Sequence, residues 1–239
     1  MKKTSIILRC KNNWKLTKAC IESIQANTDT SLYSLIVVDD GSTDETRKEL
    51  DAMATTVEPK QIFIHHEKSL GAVTATNTGL KYVFENPTSY ILILDNDTEV
   101  LKGNKSWLQD MINWFDDTTI GAVGACSDGE VIGLQNVAQL TNNKEPKFLI
   151  SFCMMMSFKC AKAVGLWDES LNPGNGEDID FSFRARRAGY NLAVAKDVFI
   201  KHIGHQTFGS ENLQSLVLLN EHKLISKYGE KIYHTMRWN

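Results

Sequence analysis

The sequence lacks any paired arrangement of cysteines. Its five cysteines are widely spread, and none forms a Cys-x-x-Cys pair. An odd number without close pairs argues against a disulfide framework and against a zinc cluster. We therefore expect a protein of a reducing compartment, the cytoplasm.

Long apolar runs and a strong net charge are also missing. The basic start at Lys2 and Lys3 leads into an apolar run that ends at Leu8, which is too short for a signal peptide. No other stretch approaches the roughly 20 apolar residues of a membrane-spanning helix, so no transmembrane segment is expected. A net charge of -3 and a pI near 6.1 provide no basic field for a phosphate backbone, so a stable nucleic-acid scaffold is not expected.

What the sequence does contain is an alternation of apolar and helical segments. With 239 residues, 42% of them hydrophobic, it can form one α/β domain. Alternating strands and helices predict a parallel sheet covered on both faces. The predicted strands of the first hundred residues are Ser5–Leu8, Leu35–Val38, Ile62–His65 and Tyr90–Leu94, and the predicted helices are Leu16–Ala26, Thr43–Ala54 and Ala72–Phe84.

The second half of the chain is less regular. Residues Cys126–Lys147 are rich in turn formers, and we interpret them as an excursion that carries acceptor contacts. The predicted strands here are Ala122–Ala125, Phe148–Phe158, Leu192–Ala195 and Val198–Lys201, and the predicted helices are Trp107–Phe115, Ile179–Ala188 and one closing helix, Asn212–Tyr228.

A first acidic site, Asp39 and Asp40, ends the second predicted strand. Ligands of such sheets bind beyond the carboxyl ends of the strands. Ser42 and Glu45 form a capping box for the next helix, which neither aspartate is needed to complete. Two adjacent carboxylates repel each other, and a bound group that interacts with them would offset this repulsion. We therefore expect Asp39 and Asp40 to have a binding role.

A second acidic site, Asp95-Asn96-Asp97, follows the fourth predicted strand. In an extended segment the two aspartates project to the same side, where they can hold one cation. Mg²⁺ or Mn²⁺ bound by one or two carboxylates and completed by substrate phosphates suits this arrangement. A simple turn is the alternative interpretation.

A third acidic site opens a predicted helix after two glycines, Gly174 and Gly176. Glu177, Asp178 and Asp180 lie in its first turn. Acids stabilise a helix N-terminus, but three exceed what a cap requires. A carboxylate at the mouth of a pocket suits a general base.

Together these sites resemble the family-two glycosyltransferases, which have the nucleotide-binding GT-A fold. The resemblance covers roughly residues 4 to 208, and the subgroup it looks most like is rhamnosyltransferase-like. It implies an α/β fold of GT-A type, with a Rossmann-like, mostly parallel central sheet flanked by helices and a smaller acceptor-side subregion. The whole of residues 1–239 would be one domain: a nucleotide-sugar-binding half (1–100), an acceptor and catalytic half (101–210) and a closing C-terminal helix (211–239). The resemblance is based on the segments Asp39–Asp44, Leu70–Gly71 to Asn77–Gly79, Asp95–Asp97, Gly165–Glu169, and Glu177–Phe181 with Arg184 and Gly189-Tyr190.

The resemblance also implies roles for single positions. Asp178 would be the catalytic base and Glu177 would shape its surroundings. The implied nucleotide-binding residues are Arg9, Lys11, Asp39, Asp40, Gly71, Asn77, Asp95 and Asn96. The implied metal ligands are Asp97, Asp95 and His202, with His205 as a weaker candidate, and the implied acceptor-binding residues are Trp167 and Asp180.

Two departures from the family pattern affect these roles. Thr76 stands where many relatives have an arginine that binds the donor diphosphate. The metal, Lys11 or Lys68 must therefore supply more of the positive charge that neutralises the diphosphate. Many relatives also carry further domains or membrane helices. Here the closing helix is expected to pack on its own sheet, although its apolar and lysine residues leave peripheral membrane association open.

The function predicted from the resemblance is a metal-dependent, inverting transfer of a hexose-type sugar. The donor would be a UDP-, dTDP- or GDP-linked sugar, and the acceptor a glycan, a lipid-linked molecule or another hydroxyl compound. One alternative is a nucleotidyltransferase, but no glycine-rich phosphate loop followed by Lys lies near the N-terminus. The other is a non-catalytic binding module, which Thr76 favours and the Glu177-Asp178 pair disfavours.

Overall fold

The computed structural model describes residues 3–54, 61–128, 135–136, 146–204 and 210–237. These residues form one eight-stranded sheet with helices on both faces. The strands are β1 (Thr4–Cys10), β2 (Tyr33–Asp39), β3 (Gln61–His65), β4 (Tyr90–Asp95), β5 (Thr98–Val100), β6 (Ile120–Cys126), β7 (Cys153–Ser157) and β8 (Asn191–His202). The helices are α1 (Trp14–Asn27), α2 (Thr46–Ala54), α3 (Ala72–Glu85), α4 (Trp107–Asn113), α5 (Phe158–Val164), α6 (Glu177–Arg187), α7 (Ser210–Tyr228) and α8 (Glu230–Arg237).

The first half of the sheet is parallel, as the alternation of strands and helices predicts. The strands run in the order β3-β2-β1-β4, and each pairs in parallel with its neighbour. All seven residues of β1 are buried, which is the pattern of a strand covered on both faces. The carboxyl ends of β1, β2 and β4 therefore meet at one edge.

The complete sheet is mixed rather than mostly parallel, which corrects the prediction. Its full order is β3-β2-β1-β4-β7-β6-β8-β5. β7 runs antiparallel to both of its neighbours, and β5 runs antiparallel to β8. The pattern of apolar residues along a buried strand carries no direction, so sequence reasoning had no signal for these reversals.

Several boundaries in the second half also differ from the prediction. The predicted strand Phe148–Phe158 is shorter, since β7 begins only at Cys153 and Phe158 already opens α5. The two predicted strands Leu192–Ala195 and Val198–Lys201 are one strand, β8, with an irregular register opposite Ala125 and Cys126. Two exposed residues, Lys196 and Asp197, interrupt its apolar pattern and make one strand look like two.

The core lies on both faces of the sheet. One face packs against α1, α2 and α4, for example through Ile21, Leu50 and Trp107. The other packs against α3, α5 and α6, for example through Leu80 and Phe181. Burial of side chains of this size contributes roughly 1.5–3 kcal/mol each, so this two-sided core is a main source of stability.

Two helices, rather than the one predicted, close the chain. α7 ends at Tyr228, Gly229 follows with φ +85°, and α8 runs to Arg237. A small cluster of Leu171, Leu224 and Tyr233 packs this pair on the segment that precedes α6. In the part of the chain that the structure describes, no helix combines the length and apolarity needed to cross a bilayer.

Candidate active site

A cavity of about 530 Å³ opens at the edge where the parallel strands end. The first turn of α6 and the two C-terminal helices also contribute residues to its lining. The predicted site residues that line it are Arg9, Lys11, Asp40, Gly71, Asp95, Asn96, Asp97, Glu177, Asp178 and His202. Acids that are distant in the sequence thus share one cavity.

Asp95, Asp97 and His202 form a compact group in this cavity. One ligand atom from each lies within 4.8 Å of the others, and His202 Nε2 is 3.3 Å from Asp97 Oδ1. The pairing of β5 with β8 explains this proximity, because it sets His202 opposite Thr98. Two carboxylates and an imidazole suit Mn²⁺ and are acceptable to Mg²⁺, so the residues present fit the implied metal.

The prediction assumed that the segment Asp95-Asn96-Asp97 is extended throughout. In the structure only Asp95 is extended. β4 ends at Asp95, and residues 96 and 97 form a turn before β5. The Asn96 side chain donates to Thr17 Oγ1 at 2.9 Å and anchors that turn. Both carboxylates still line the same cavity, so the turn and the cation-binding arrangement coexist.

The electrostatic field around His202 is negative. Burial alone would lower the pKa of its imidazole, but the hydrogen bond to Asp97 and the charges of both aspartates raise it above its ordinary value. The ring also stacks on Phe152, with centroids 5.0 Å apart, which fixes its orientation. The two carboxylates that raise this pKa would also attract a metal cation, which the imidazole binds in its neutral form.

Arg9 is a buried cation that lines the cavity. Its guanidinium pairs with Asp95, its neighbour across β1 and β4, and donates to Thr76 Oγ1 at 3.1 Å and Ser151 Oγ at 3.4 Å. Thr76 is the position where the resemblance implies an arginine, so Arg9 brings a guanidinium from β1 to the same place. Lys11 lines the cavity as well, whereas Lys68 is not among its lining residues.

Glu177 and Asp178 begin α6 and line the same cavity as Asp95, Asp97 and His202. Burial raises the pKa of both carboxyls above the ordinary range, and the charge of Asp178 raises that of Glu177 further. Arg9 acts in the opposite direction on both. Glu177 Oε2 is buried and has no hydrogen-bond partner among the described residues. A carboxylate with a raised pKa is a better proton acceptor than a free one.

The raised pKa of Glu177 makes the stability of the protein depend on pH. Between the ordinary carboxyl pKa of roughly 4 and the raised folded-state value, the folded state binds more protons than the unfolded state. Stability therefore falls as pH rises through that window. We expect Glu177→Gln to leave the melting temperature almost unchanged near pH 5 and to raise it near pH 8, by about 2–4 °C for each kcal/mol regained.

Thermal unfolding followed by circular dichroism from pH 5 to 8, with EDTA present, measures this effect. Glu45→Gln is the matched control, because Glu45 is exposed and its substitution should shift the melting temperature equally at every pH. A constant offset for Glu177→Gln across the series would contradict the prediction.

Asp39 and Asp40 are held by neighbouring protein groups. Asp39 is fully buried, pairs with His65 Nδ1 at 2.9 Å and accepts from Ser42 N at 3.0 Å. It is not among the residues that line the cavity. Asp40 does line it, but its carboxylate accepts from the side chains of His66 and Ser69 and from two backbone N–H groups. These contacts offset the repulsion between the Asp39 and Asp40 carboxylates, which was the reason for predicting a binding role.

The predicted capping box is absent, which is a further correction. Ser42 Oγ accepts from Asn12 N at 2.7 Å, and Ser42 lies four residues before the first residue of α2. The helix begins later, at Thr46, whose N–H donates to Asp44 Oδ1 at 3.0 Å. The hydroxyl is used by a neighbouring loop, which no local sequence pattern reveals.

Three more predicted site residues lie outside the cavity lining and stabilise the fold. Asn77 is buried, donates to Trp167 O and accepts from Trp167 N, at 2.9 and 2.8 Å. Trp167 packs on Phe181 with ring centroids 5.5 Å apart. Asp180 accepts from Arg184 and from two side chains of α7. The structure therefore gives Asn77, Trp167 and Asp180 packing partners where nucleotide or acceptor contacts were predicted.

Sequence reasoning missed one wall of the cavity. Residues of α7 and α8 line it, namely Val217, Glu221, Leu224 and Tyr233. The spacing of apolar residues predicted that the closing helix packs back on the protein, but no motif marks which side chains reach a cavity. His205 and most of the excursion Cys126–Lys147 lie outside the described residues.

The curled, mixed sheet with flanking helices matches the GT-A fold of solved structures. The chain superimposes on the mannosyltransferase PcManGT of Pyrobaculum calidifontis, in complex with GDP-Man and Mn²⁺, with a TM-score of 0.70 at 18% identity, over 94% of this chain and 64% of that one. The model of glycosyl transferase family 2 matches residues 5–162. The chain therefore belongs to glycosyl transferase family 2.

The chain is also similar to curated proteins, one of which is a glycosyltransferase. Glycosyltransferase AglE of Haloferax volcanii is 26% identical over 212 residues, which are 83% of this chain and 66% of AglE. Protein Rv1525 of Mycobacterium tuberculosis is 30% identical over 148 residues, 59% of this chain. The chain spans 56% of the length of that mycobacterial relative.

Proposed function

We propose that the protein is a metal-dependent, inverting glycosyltransferase that moves a sugar from a nucleotide diphosphate to an acceptor hydroxyl. One observation carries this proposal. The group Asp95, Asp97 and His202 shares a single cavity with two carboxyls of raised pKa, Glu177 and Asp178. A cation site for a diphosphate and a proton acceptor are the two elements that such a transfer needs.

The donor would bind at the ends of β1 and β4. Asp97 and His202 would hold the metal, with Asp95 contacting it or the ribose. Arg9 and Lys11 supply positive charge for the diphosphate on the same side. Asp40, Gly71 and Asn96 also line this part of the cavity. We leave Asn77 out of the donor site, since its amide is occupied by Trp167.

The transfer would be a direct displacement at the anomeric carbon. The acceptor oxygen forms the new bond to that carbon from one face, while the bond to the diphosphate oxygen breaks on the opposite face, so the configuration inverts. Asp178 takes the proton of the acceptor hydroxyl, and Glu177 keeps the surroundings of that carboxylate poorly solvated. The metal, when bound, stabilises the negative charge of the departing diphosphate.

The finer assignments rest on sequence resemblance and composition. We place the chain in the rhamnosyltransferase-like subgroup, with a hexose-type sugar on UDP, dTDP or GDP and a glycan, lipid-linked or other hydroxyl acceptor. We propose that the described residues act as one domain, with donor contacts from residues 1–100 and the base from residues 101–210. The five cysteines are buried and free, which fits the reducing cytoplasm.

A catalytic protein differs from a non-catalytic binding module of the same fold in the fate of the donor. We expect the pure protein to hydrolyse one nucleotide sugar of a UDP-, dTDP- and GDP-linked panel slowly with Mn²⁺ or Mg²⁺, because water can replace the acceptor. Chromatography of the released nucleoside diphosphate measures this turnover. EDTA should abolish it.

Two results would redirect the proposal. Metal-dependent donor binding without any hydrolysis or transfer would indicate the binding module. Release of pyrophosphate from a nucleoside triphosphate and a sugar phosphate would indicate a nucleotidyltransferase.

A further inference from the structure

The segment that leads into the two catalytic-site carboxyls has an unusual backbone. Residues 172–176 connect the 3₁₀ turn Glu169–Leu171 to α6, and both Asn175 and Gly176 have positive φ, at +70° and +104°. A non-glycine residue with positive φ costs free energy, and it keeps that conformation only when its surroundings enforce it. Glu177 and Asp178 follow directly, so whatever fixes this segment also fixes the proton acceptor.

Asn220 of α7 binds this segment from one side. Its side chain is 1% exposed, and Nδ2 donates to the carbonyl oxygens of Leu171, Gly174 and Asn175 at 2.8, 2.7 and 2.9 Å. The NH₂ group has two hydrogens for these three backbone acceptors, so one hydrogen is shared between two carbonyl oxygens. A hydrophobic residue of similar size would leave those carbonyls without these donors.

The orientation of the Asn220 amide is itself fixed. Lys223, one turn further along α7, donates to Asn220 Oδ1 at 2.9 Å and to Ser170 O at 2.6 Å. Because an ammonium group only donates, the oxygen of the amide must face Lys223 and its NH₂ must face the segment. A Cβ at Gly176 would lie 3.2 Å from Leu224 Cδ1, so the segment also packs closely on α7.

α3 holds the same segment from the other side. Asn172 Oδ1 accepts from the backbone N–H groups of Val73 and Thr74, and Pro173 O accepts from Ala72 N. The first turn of α6 is tied down by a further contact, because Lys227 and Tyr228 of α7 both donate to Asp180. The segment is therefore clamped between the helix that borders the donor side and the C-terminal helix.

We propose that Asn220 is a positioning residue for glycosyl transfer, which acts by holding residues 171–175 so that Asp178 stays aligned with the acceptor hydroxyl. This inference rests on the function proposed above. Asn220 is not among the residues that line the cavity, and its partners are backbone carbonyls. Its effect therefore reaches the reaction only through the segment that it fixes.

The test separates catalysis from donor binding. Asn220→Ala should lower kcat for donor turnover on the order of 10- to 100-fold, since small misplacements of a reacting group have effects of this size. The affinity for UDP, dTDP or GDP with Mn²⁺, whichever the wild-type protein binds, should stay unchanged, because the donor-side ligands are on other elements. Isothermal titration measures this affinity, and circular dichroism confirms that the variant is folded.

Leu219→Ala is the matched control, because Leu219 is the preceding residue of α7 and is 52% exposed. It should leave both kcat and nucleotide affinity at wild-type values. Lys223→Met serves as a second variant that frees the Asn220 amide but keeps the side-chain stem. It should also lower kcat, by a smaller factor, and leave nucleotide affinity unchanged. If Asn220→Ala does not fold, Lys223→Met provides the test of the inference.

Two outcomes overturn the inference while leaving the proposed function standing. One is wild-type kcat in the variants, and the other is an equal loss of kcat and nucleotide affinity, which would indicate a general structural role. A wild-type protein that neither binds nucleotide nor turns over any donor would overturn the proposed function and this inference with it.

Discussion

Replacement of Asp178 by asparagine is expected to lower kcat for sugar transfer by about 10²- to 10⁴-fold, the usual contribution of a general base. Asparagine has nearly the same shape and can keep the local bond from Ile179 N, which is 2.8 Å from Asp178 Oδ1. It cannot accept the proton of the acceptor hydroxyl. The affinity for the donor nucleotide should change little, because Arg9 and the proposed metal ligands are on other elements than Asp178.

The measurement compares kcat with donor affinity for the same preparation. Asp197→Asn is a suitable control, since Asp197 is exposed on β8 and the same chemical change there should be silent. Normal turnover by Asp178→Asn would remove Asp178 from the role of base. Glu177, the other carboxyl of raised pKa in this turn, would then be the next candidate.

Asp97→Ala is expected to weaken Mn²⁺ binding by more than about tenfold, because changes even to groups that only support a metal ligand cost 10- to 100-fold in affinity. Asp97 is mostly buried, and its Oδ1 lies 3.3 Å from His202 Nε2, so its removal breaks the group at its centre. Binding of a nucleoside diphosphate should lose its dependence on the metal. Titration of Mn²⁺ followed by electron paramagnetic resonance reports the free ion directly, without reference to turnover.

Glu99→Ala provides the comparison for Asp97→Ala. Glu99 lies two residues further along, on β5, and its side chain is exposed and paired with Lys201. Its removal should leave Mn²⁺ affinity unchanged. If Asp97→Ala bound Mn²⁺ as tightly as the wild-type protein, the assignment of this metal site would fail.

The parallel half of the fold was predictable because its signals are local. Each strand from β1 to β4 is an apolar run bounded by turn residues, and each intervening helix has its own periodicity, so the predicted and observed ranges nearly coincide. The reversals at β7 and β5 were not predictable, because strand direction depends on which partners pair across the sheet. α8 was missed because its eight residues follow a helix-ending glycine, Gly229.

The candidate site was predictable as a set of motifs, but not side chain by side chain. Acids at strand ends identified the cavity, and ten of the predicted residues line it. Four predicted residues do not line the cavity, although their side chains are also polar or aromatic. In the structure these side chains contact other protein groups, and the four residues are Asp39, Asn77, Trp167 and Asp180. The sequence shows which side chains can form polar or aromatic contacts. The neighbours in three dimensions determine whether those contacts are made within the protein or are left for a ligand.

The stretch of chain recognised by the family model and the stretch needed to build the cavity are not the same. β8 enters the sheet late, between β6 and β5, and its last residue, His202, reaches back to an aspartate more than one hundred positions earlier. The family match ends at residue 162, ahead of Glu177, Asp178, His202 and Asn220. A fragment designed on that match would retain the strands proposed to bind the nucleotide, and it would lose the proposed proton acceptor, the imidazole of His202 and helix α7.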